Sequence, residues 1–198
     1  MARIVLATHN AHKVEEFQAI VAATRPDLTV VSYDGPEPVE DGVTFAANAL
    51  IKARAAAAHT GLPALADDSG ICVDVLGGSP GVFSAYWAGH AKDGTANLRL
   101  LLDQLSDIAD PHRAAQFVST IALVDPDGDE HVVEGVWPGR LATAAAGEGG
   151  FGYDPIFVPD GQPAGTERSV GEFSPTEKNA VSHRARAFAA LGPLLATL

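Results

Sequence analysis

The apolar positions of this chain change period several times, and each change predicts an element. Ile4 to Ala7 is a short continuous apolar run that stops at Thr8-His9-Asn10, which predicts a buried first strand. Val14, Phe17, Ile20 and Val21 then recur at helical spacing, with Lys13, Glu15, Glu16 and Gln18 mostly off that face. Leu28 to Val31 predicts a second strand, and a loop rich in Pro and acid runs from Tyr33 to Gly42. Thr44 is placed to cap an alanine-rich helix that continues to His59. Leu62 to Ala66 predicts a third strand, broken at Asp67-Asp68-Ser69-Gly70 and resumed from Ile71 to Val75. Gly77 to Gly81 reads as a loop, and Leu98, Leu101, Leu102 and Leu105 mark another helix.

Ala114 to Val124 and Glu130 to Trp137 flank Asp125-Pro126-Asp127-Gly128, a strong hairpin signal. A glycine-rich loop, Gly147 to Asp154, leads into a short strand at Ile156 to Val158. Ser174-Pro175-Thr176-Glu177 has the capping-box pattern with proline at the first helical position. The last helix carries Ala187, Phe188, Leu191, Leu194 and Leu195. A βαβαβ order followed by a long hairpin predicts an α/β fold, with helices on the faces of a mixed sheet.

The length, 198 residues, suits one substantial domain, or one domain split into two lobes around a cleft. With 46% hydrophobic and 19% charged residues the composition is globular. The 25 acidic against 13 basic residues leave a net charge of −12, which disfavours a nucleic-acid-binding module but allows a local cationic cradle for a small anion. The single cysteine, Cys72, excludes an intrachain disulfide framework and, lying in an apolar run, reads as a buried thiol. The apolar core at the start is too short for a secretory signal and no stretch is long enough to span a bilayer, so a cytoplasmic protein without a membrane partner is expected.

Four segments carry candidate chemistry. Thr8-His9-Asn10-Ala11-His12-Lys13 ends a strand and opens a helix, where free backbone N–H groups and side-chain donors can cradle phosphate or simply cap the helix. Lys13 discriminates, because a lysine in the first turn opposes the helix dipole and asks for a negative partner. Asp67-Asp68-Ser69-Gly70 offers adjacent carboxylates pointing to opposite sides, either an acidic turn or a hard-oxygen site completed by Glu37, Glu40 or Asp41. Lys178 to Arg184 places basic residues near a helix start capped by Ser182, for an anion or for a surface salt bridge. Gly149-Gly150-Phe151-Gly152-Tyr153-Asp154 combines close backbone approach with two stacking faces, as a ligand loop or a tight structural one would. The ligand common to all four is a nucleoside triphosphate with Mg²⁺.

These segments also form an ordered set. Thr8-x-Asn10-x-x-Lys13, Thr44-Phe45-x-x-Asn48-Ala49-x-x-Lys52-Ala53, Ala66-Asp67-Asp68-Ser69-Gly70, Gly77-Gly78-x-Pro80-Gly81, Gly149 to Pro155 and Glu177-Lys178-x-x-x-Ser182-His183-Arg184 run from residue 4 to about residue 190. In that order they resemble the inosine/xanthosine triphosphate pyrophosphatase family, the dITP/XTP pyrophosphatases that act on non-canonical purine nucleotides. The resemblance implies a single two-lobed domain over residues 1–198, elongated, with a central mixed sheet, an active site in the cleft and a homodimeric state. It implies hydrolysis of ITP, dITP or XTP to the monophosphate and pyrophosphate, which cleanses the nucleotide pool.

By the same resemblance Thr8, His9, Asn10, Ala11, His12, Lys13 and Lys52 hold the triphosphate, and Asp68 activates water for attack at the α-phosphorus. Glu40 and Asp68 stand around Mg²⁺, and Ser69 helps to place the phosphates. Phe151, Gly152, Tyr153 and Asp154 border the base, while Lys178, His183 and Arg184 complete base and phosphate recognition. A donor such as Arg184 or His183 favours the 6-oxo group over the amino group of adenine. His9 and Ala185 stand where relatives often have glycine, and Glu40-Asp41-Gly42 departs from the family's Glu-Thr-Gly. Trp87 and the segment Ala88 to Asp93 are expected in a mobile or dimer-facing loop. Two other readings compete: a Maf-like pyrophosphatase for other nucleotides, and a non-catalytic nucleotide-binding regulator.

Overall fold

A computed structural model describes residues 2–196, with the His12 side chain outside the described residues. Its strands are β1 (Ala2–Leu6), β2 (Leu28–Ser32), β3 (Ala64–Val73), β4 (Ala114–Val124), β5 (Glu130–Leu141) and β6 (Phe157–Pro159). The helices are α1 (Ala11–Thr24), α2 (Phe45–Thr60), α3 (Gly94–Gln104), α4 (Pro175–Val181) and α5 (His183–Leu195). The strands form one sheet in the order β2-β1-β3-β4-β5-β6. It is mixed: β1 runs parallel to β2 and β3, while β6 runs antiparallel to β5. The chain divides into two compact units, one of Met1–Asp68, Ser119–Gly135 and Ala187–Leu198, the other of Ser69–Val118 and Val136–Arg186.

In the first unit, alternation along the strands sorts side chains onto two faces. Ile4, Leu6, Leu28, Val30, Leu65, Ile121 and Leu123 share a core with Phe17 and Val21 of α1 and with Phe188, Leu191 and Leu195 of α5. Val5, Ala64, Ala66, Ala122 and Val124 pack instead against Ala49, Ala53, Ala56 and Ala57 of α2. The small alanines recur at helical spacing, so α2 presents a smooth face to the sheet. Thr44 caps α2 by accepting from the Ala47 N–H, and Gly61 ends it in the left-handed conformation at φ 65°, which glycine adopts without a Cβ clash.

In the second unit Leu101 of α3 and Leu105, which follows the helix, pack with Ile71, Val73, Phe117, Trp137, Leu141, Ile156 and Phe157. Arg113 is only 2% exposed. Its guanidinium donates to the carbonyls of Leu105 (2.6 Å), Ile108 (3.0 Å), Leu141 (2.9 Å) and Ala142 (2.9 Å), tying the end of α3 to the end of β5. The planar fork of arginine suits such divergent acceptors.

Three expectations need correction. β3 is not broken at Asp67-Asp68-Ser69-Gly70 but runs through it without interruption. The polar residues remain in the strand because neighbouring groups satisfy them, as the site shows. Cys72 is half-buried, not buried. β5 extends past Trp137 to Leu141, where Leu141 N–H donates to Arg113 O at 2.9 Å.

Candidate active site

Strand parity in the first unit delivers the two carboxylates to different helices. Leu65 faces α1 and α5, whereas Ala64 and Ala66 face α2. Asp67 therefore follows Leu65 and Asp68 follows Ala66. The contacts agree: Lys13 Nζ of α1 donates to both Asp67 oxygens at 2.9 Å, and Lys52 Nζ of α2 lies 3.6 Å from Asp68 Oδ1. Lys13 thus finds the negative partner that its position in the helix demanded. Glu40 meets Lys52 Nζ at 2.8 Å, so Glu40 and Asp68 converge on one ammonium. Burial works against the charged form of Lys52, but Asp68, the hydrogen bond to Glu40 and the charges of Glu40 and Asp67 outweigh it, raising its pKa above the ordinary lysine value.

The segment between β1 and α1 is shaped mostly by its own bonds. Asn10 N–H donates to Thr8 Oγ1 at 3.2 Å, and Val14 N–H donates to Asn10 O at 3.2 Å as α1 begins. Ala11 is the first residue of α1 and exposed. His9 turns toward the acidic loop: Nε2 lies 3.1 Å from Gly35 O, Nδ1 lies 3.5 Å from Glu37 Oε1, and the ring stacks on Tyr33 at 5.8 Å. Glu37 is therefore drawn to His9, while Glu40 goes to Lys52.

The second unit forms a half-open pocket of about 430 Å³, within the range of small-molecule sites. Of the residues expected from sequence, Ser69, Phe151, Gly152, Tyr153, Asp154, Lys178, His183 and Arg184 all line it. Asp154 is 2% exposed and organises the wall: Oδ2 accepts from Phe151 N–H (2.7 Å) and from Lys178 Nζ (2.5 Å). Gly150 is required beneath it, since at φ 72° a Cβ would stand 2.2 Å from Asp154 Oδ2. Lys178 Nζ and the Arg184 guanidinium lie 4.2 and 5.4 Å from the Phe151 ring centroid, and Arg184 Nη2 donates to Ser69 Oγ at 3.4 Å. Phe151 itself is 63% exposed. His183 is buried and stacks on Phe117 at 4.9 Å. Tyr153 has a supporting role, because its buried hydroxyl donates to Ser84 O at 2.9 Å and burial raises its pKa.

Gly70 also belongs to this framework. A Cβ there would stand 2.4 Å from Ser84 Oγ and 2.6 Å from Gly81 O. Its absence lets Ser84 Oγ approach β3, accept from Ile71 N–H at 2.9 Å and donate to Gly81 O at 2.6 Å. Ser84, Lys92, Asn97 and Phe117 line the cavity and were not singled out from sequence. Asn97 is buried and holds the segment before α3: Oδ1 accepts from Ala88 N–H at 2.6 Å, and Nδ2 donates to Ala85 O at 2.9 Å. Trp87 Nε1 donates to Gln104 Oε1 at 2.8 Å, linking the start of the segment expected as a mobile or dimer-facing loop to α3.

Comparison with known proteins agrees with the motif order. The family model described as the Ham1 family matches residues 4–194. The chain is 62% identical over 198 residues to a Leifsonia xyli subsp. xyli protein named dITP/XTP pyrophosphatase, covering 100% of this chain and 98% of that protein. A Streptomyces coelicolor protein of the same name is 54% identical over 202 residues, with 100% and 99% covered. Among solved structures, a HAM1 protein from Coxiella burnetii superposes with a TM-score of 0.90 at 38% identity, covering all of both chains. A Mycobacterium abscessus structure described as nucleoside-triphosphatase / dITP/XTP pyrophosphatase has a TM-score of 0.82 at 50% identity, with 96% and 98% covered. This chain belongs to the Ham1 family, and the resemblance drawn from its motifs is borne out.

Proposed function

We propose that this chain hydrolyses non-canonical purine nucleoside triphosphates, namely ITP, dITP and XTP, to the monophosphate and pyrophosphate. The observation that carries the reading lies on β3. Consecutive residues, Asp68 and Ser69, belong respectively to the carboxylate–lysine group and to the aromatic, cationic pocket. One peptide bond therefore joins, along the chain, a set suited to triphosphate chemistry and a set suited to a purine, and in this reading residues 1–198 are a single domain. The names of the Leifsonia and Streptomyces relatives support the substrate class.

In this reading Phe151 stacks on the base, and Arg184 and His183 donate toward its 6-oxo group. Adenine would leave such a donor unpaired, at a cost of about 1–3 kcal/mol. Thr8, His9, Asn10, Ala11 and His12 form the triphosphate loop, with Lys13 and Lys52 supplying charge and Ser69 placing a phosphate oxygen. Asp68 takes the proton of the attacking water. Asp67 holds Lys13 in place through its two-oxygen contact.

Asp68 and Glu40 fit a bound Mg²⁺, being hard oxygen donors that converge on one point, now held by Lys52 Nζ. Among the described residues no three His, Cys, Asp or Glu side chains gather as a metal set. Two carboxylates suffice for Mg²⁺, which takes one or two and completes its shell with water and substrate phosphates. When bound, the ion neutralises charge on the phosphate oxygens and on the leaving pyrophosphate. The enzyme is a homodimer in the cytoplasm on this reading. Among the described residues no helix is long and apolar enough to cross a membrane.

The test is pyrophosphate release from ITP, dITP, XTP, GTP, ATP and dTTP with Mg²⁺, each with and without chelator. Strong, chelator-sensitive release from ITP, dITP and XTP, with little from ATP or GTP, is the expected result. Release mainly from dTTP or another ordinary nucleotide would favour a Maf-like activity. No release at all would favour a nucleotide-binding regulator.

A further inference from the structure

The pocket of the second unit carries more positive charge than a neutral oxo-purine needs. Lys92, Lys178 and Arg184 line it, and Asp154 is the carboxylate among its lining residues. Asp154 is already committed to Lys178 Nζ and to the Phe151 N–H. Lys92 and Arg184 remain as surplus cations, a local excess within a chain of net charge −12. Among the described residues no ion pair engages Lys92.

Lys92 reaches this wall in an unfavourable conformation. Its φ of 54° is in the left-handed region, and among the described residues it is the non-glycine residue found there. Bonds on both sides hold it: its N–H donates to Gly89 O at 3.3 Å, and Asp93 caps α3 by accepting from Thr95 N–H (2.9 Å) and Ala96 N–H (3.1 Å). Gly94 then lies close to Gly152, where a Cβ would stand 3.6 Å from Gly152 Cα. The chain thus fixes an unusual backbone geometry beside the pocket, at a lysine.

The two oxo-purines differ in charge as well as in shape. The dioxo ring of xanthine delocalises the negative charge left by loss of a ring proton and ionises near neutral pH. Hypoxanthine does so only in alkaline solution. Hydrogen-bond donors suffice for a neutral base, whereas an anionic base also gains from surplus cations: Arg184, half-buried in the wall, and Lys92 at its exposed edge. We propose that Lys92 is a specificity-determining residue that selects the ionised form of the xanthine base, so that XTP is favoured over ITP by charge as well as by shape. This inference rests on the base-pocket reading above. The titratable and charged residues that line the pocket are Lys92, Tyr153, Asp154, Lys178, His183 and Arg184, from the segment before α3, the glycine-rich loop, α4 and α5. Comparing the XTP-to-ITP ratio of wild type with that of a Lys92 variant at each pH separates Lys92 from these other groups, which both proteins share.

The experiment measures kcat/KM for XTP and ITP in parallel from about pH 5 to about pH 8 in wild type, Lys92→Gln and Lys92→Arg. The wild-type ratio is expected to rise as xanthine ionises. Lys92→Gln is expected to lower the ratio about tenfold at the upper pH and to flatten its profile, and Lys92→Arg to restore both. Lys92→Gly, which the left-handed backbone favours, is a second charge-removing variant should the glutamine variant fold poorly. A wild-type ratio independent of pH, or charge-removing variants that leave the ratio and profile unchanged, would overturn the proposal. Calorimetric binding of xanthosine and inosine monophosphates at the two pH extremes applies the same test without turnover. A chain that hydrolyses neither triphosphate refutes the functional reading, and the binding ratio still decides the role of Lys92.

Discussion

Asp68→Asn separates the roles of the two adjacent carboxylates. The substitution removes one negative charge 3.6 Å from Lys52 Nζ at nearly constant volume. At an effective dielectric near 20, an attraction of about 5 kcal/mol between the pair disappears. Glu40 still holds Lys52 Nζ at 2.8 Å, so the ammonium stays in place and the fold is expected to survive. Nucleotide binding should be largely preserved, because the loss of a charge that repels phosphate offsets the loss of one of the two carboxylates assigned to Mg²⁺. Turnover should fall by about 10²–10⁴-fold, the usual contribution of a general base, which raises the barrier by about 3–5 kcal/mol. Asp67→Asn is the contrast: it frees Lys13 from its partner, and about a tenfold rise in KM with a smaller change in kcat is expected. The assay is steady-state pyrophosphate release from ITP paired with calorimetric binding. An Asp68→Asn enzyme with kcat within about threefold of wild type would refute the assignment. Equal losses in both variants would refute the parity reasoning that separates them.

Other consequences are open to direct measurement. Gly70→Ala should destabilise the protein by about 1–3 kcal/mol, read as a lowered denaturation midpoint, because its Cβ would meet Ser84 Oγ at 2.4 Å and Gly81 O at 2.6 Å. Phe151→Ala should raise KM for ITP about tenfold or more by removing the stacking face, with little effect on stability since the ring is 63% exposed. Glu177 has its pKa lowered to about 2, through hydrogen bonds from the Arg168 side chain and then from the Ser174 backbone and side chain. A lowered acid pKa stabilises the fold above the unfolded value and loses that contribution as pH falls toward about 2. Glu177→Gln should accordingly be less stable than wild type at neutral pH, and the difference should vanish in acid titrations followed by circular dichroism.

The parts of this fold that local chemistry determines were legible in the sequence. Thr44 and Ser174 cap α2 and α4 because a side-chain oxygen near a helix start finds an unsatisfied N–H wherever the helix packs. The βα order and the hairpin follow from periodicity and turn residues. Asp67 to Gly70 was misread as a break because Asp, Ser and Gly disfavour strands locally, whereas Lys13, Lys52 and Ser84 supply partners from distant parts of the chain. Arg113 gave no signal, since four carbonyls scattered along the sequence hold it. The motifs located the pocket residues, but Lys92 and Asn97 lie in a segment whose packing no short pattern encodes.

The parity of β3 also constrains how genes for this protein can change. Substitutions along Ala64 to Asp68 alter one side chain at a time, and many leave both carboxylates facing their own lysines. A single codon inserted or deleted between Leu65 and Asp67 would turn every later residue over, sending the partner of Lys13 toward Lys52 and the reverse. Descendants should therefore vary in composition along this strand while its length stays fixed, with insertions and deletions accumulating instead in surface turns such as Asp125 to Asp129.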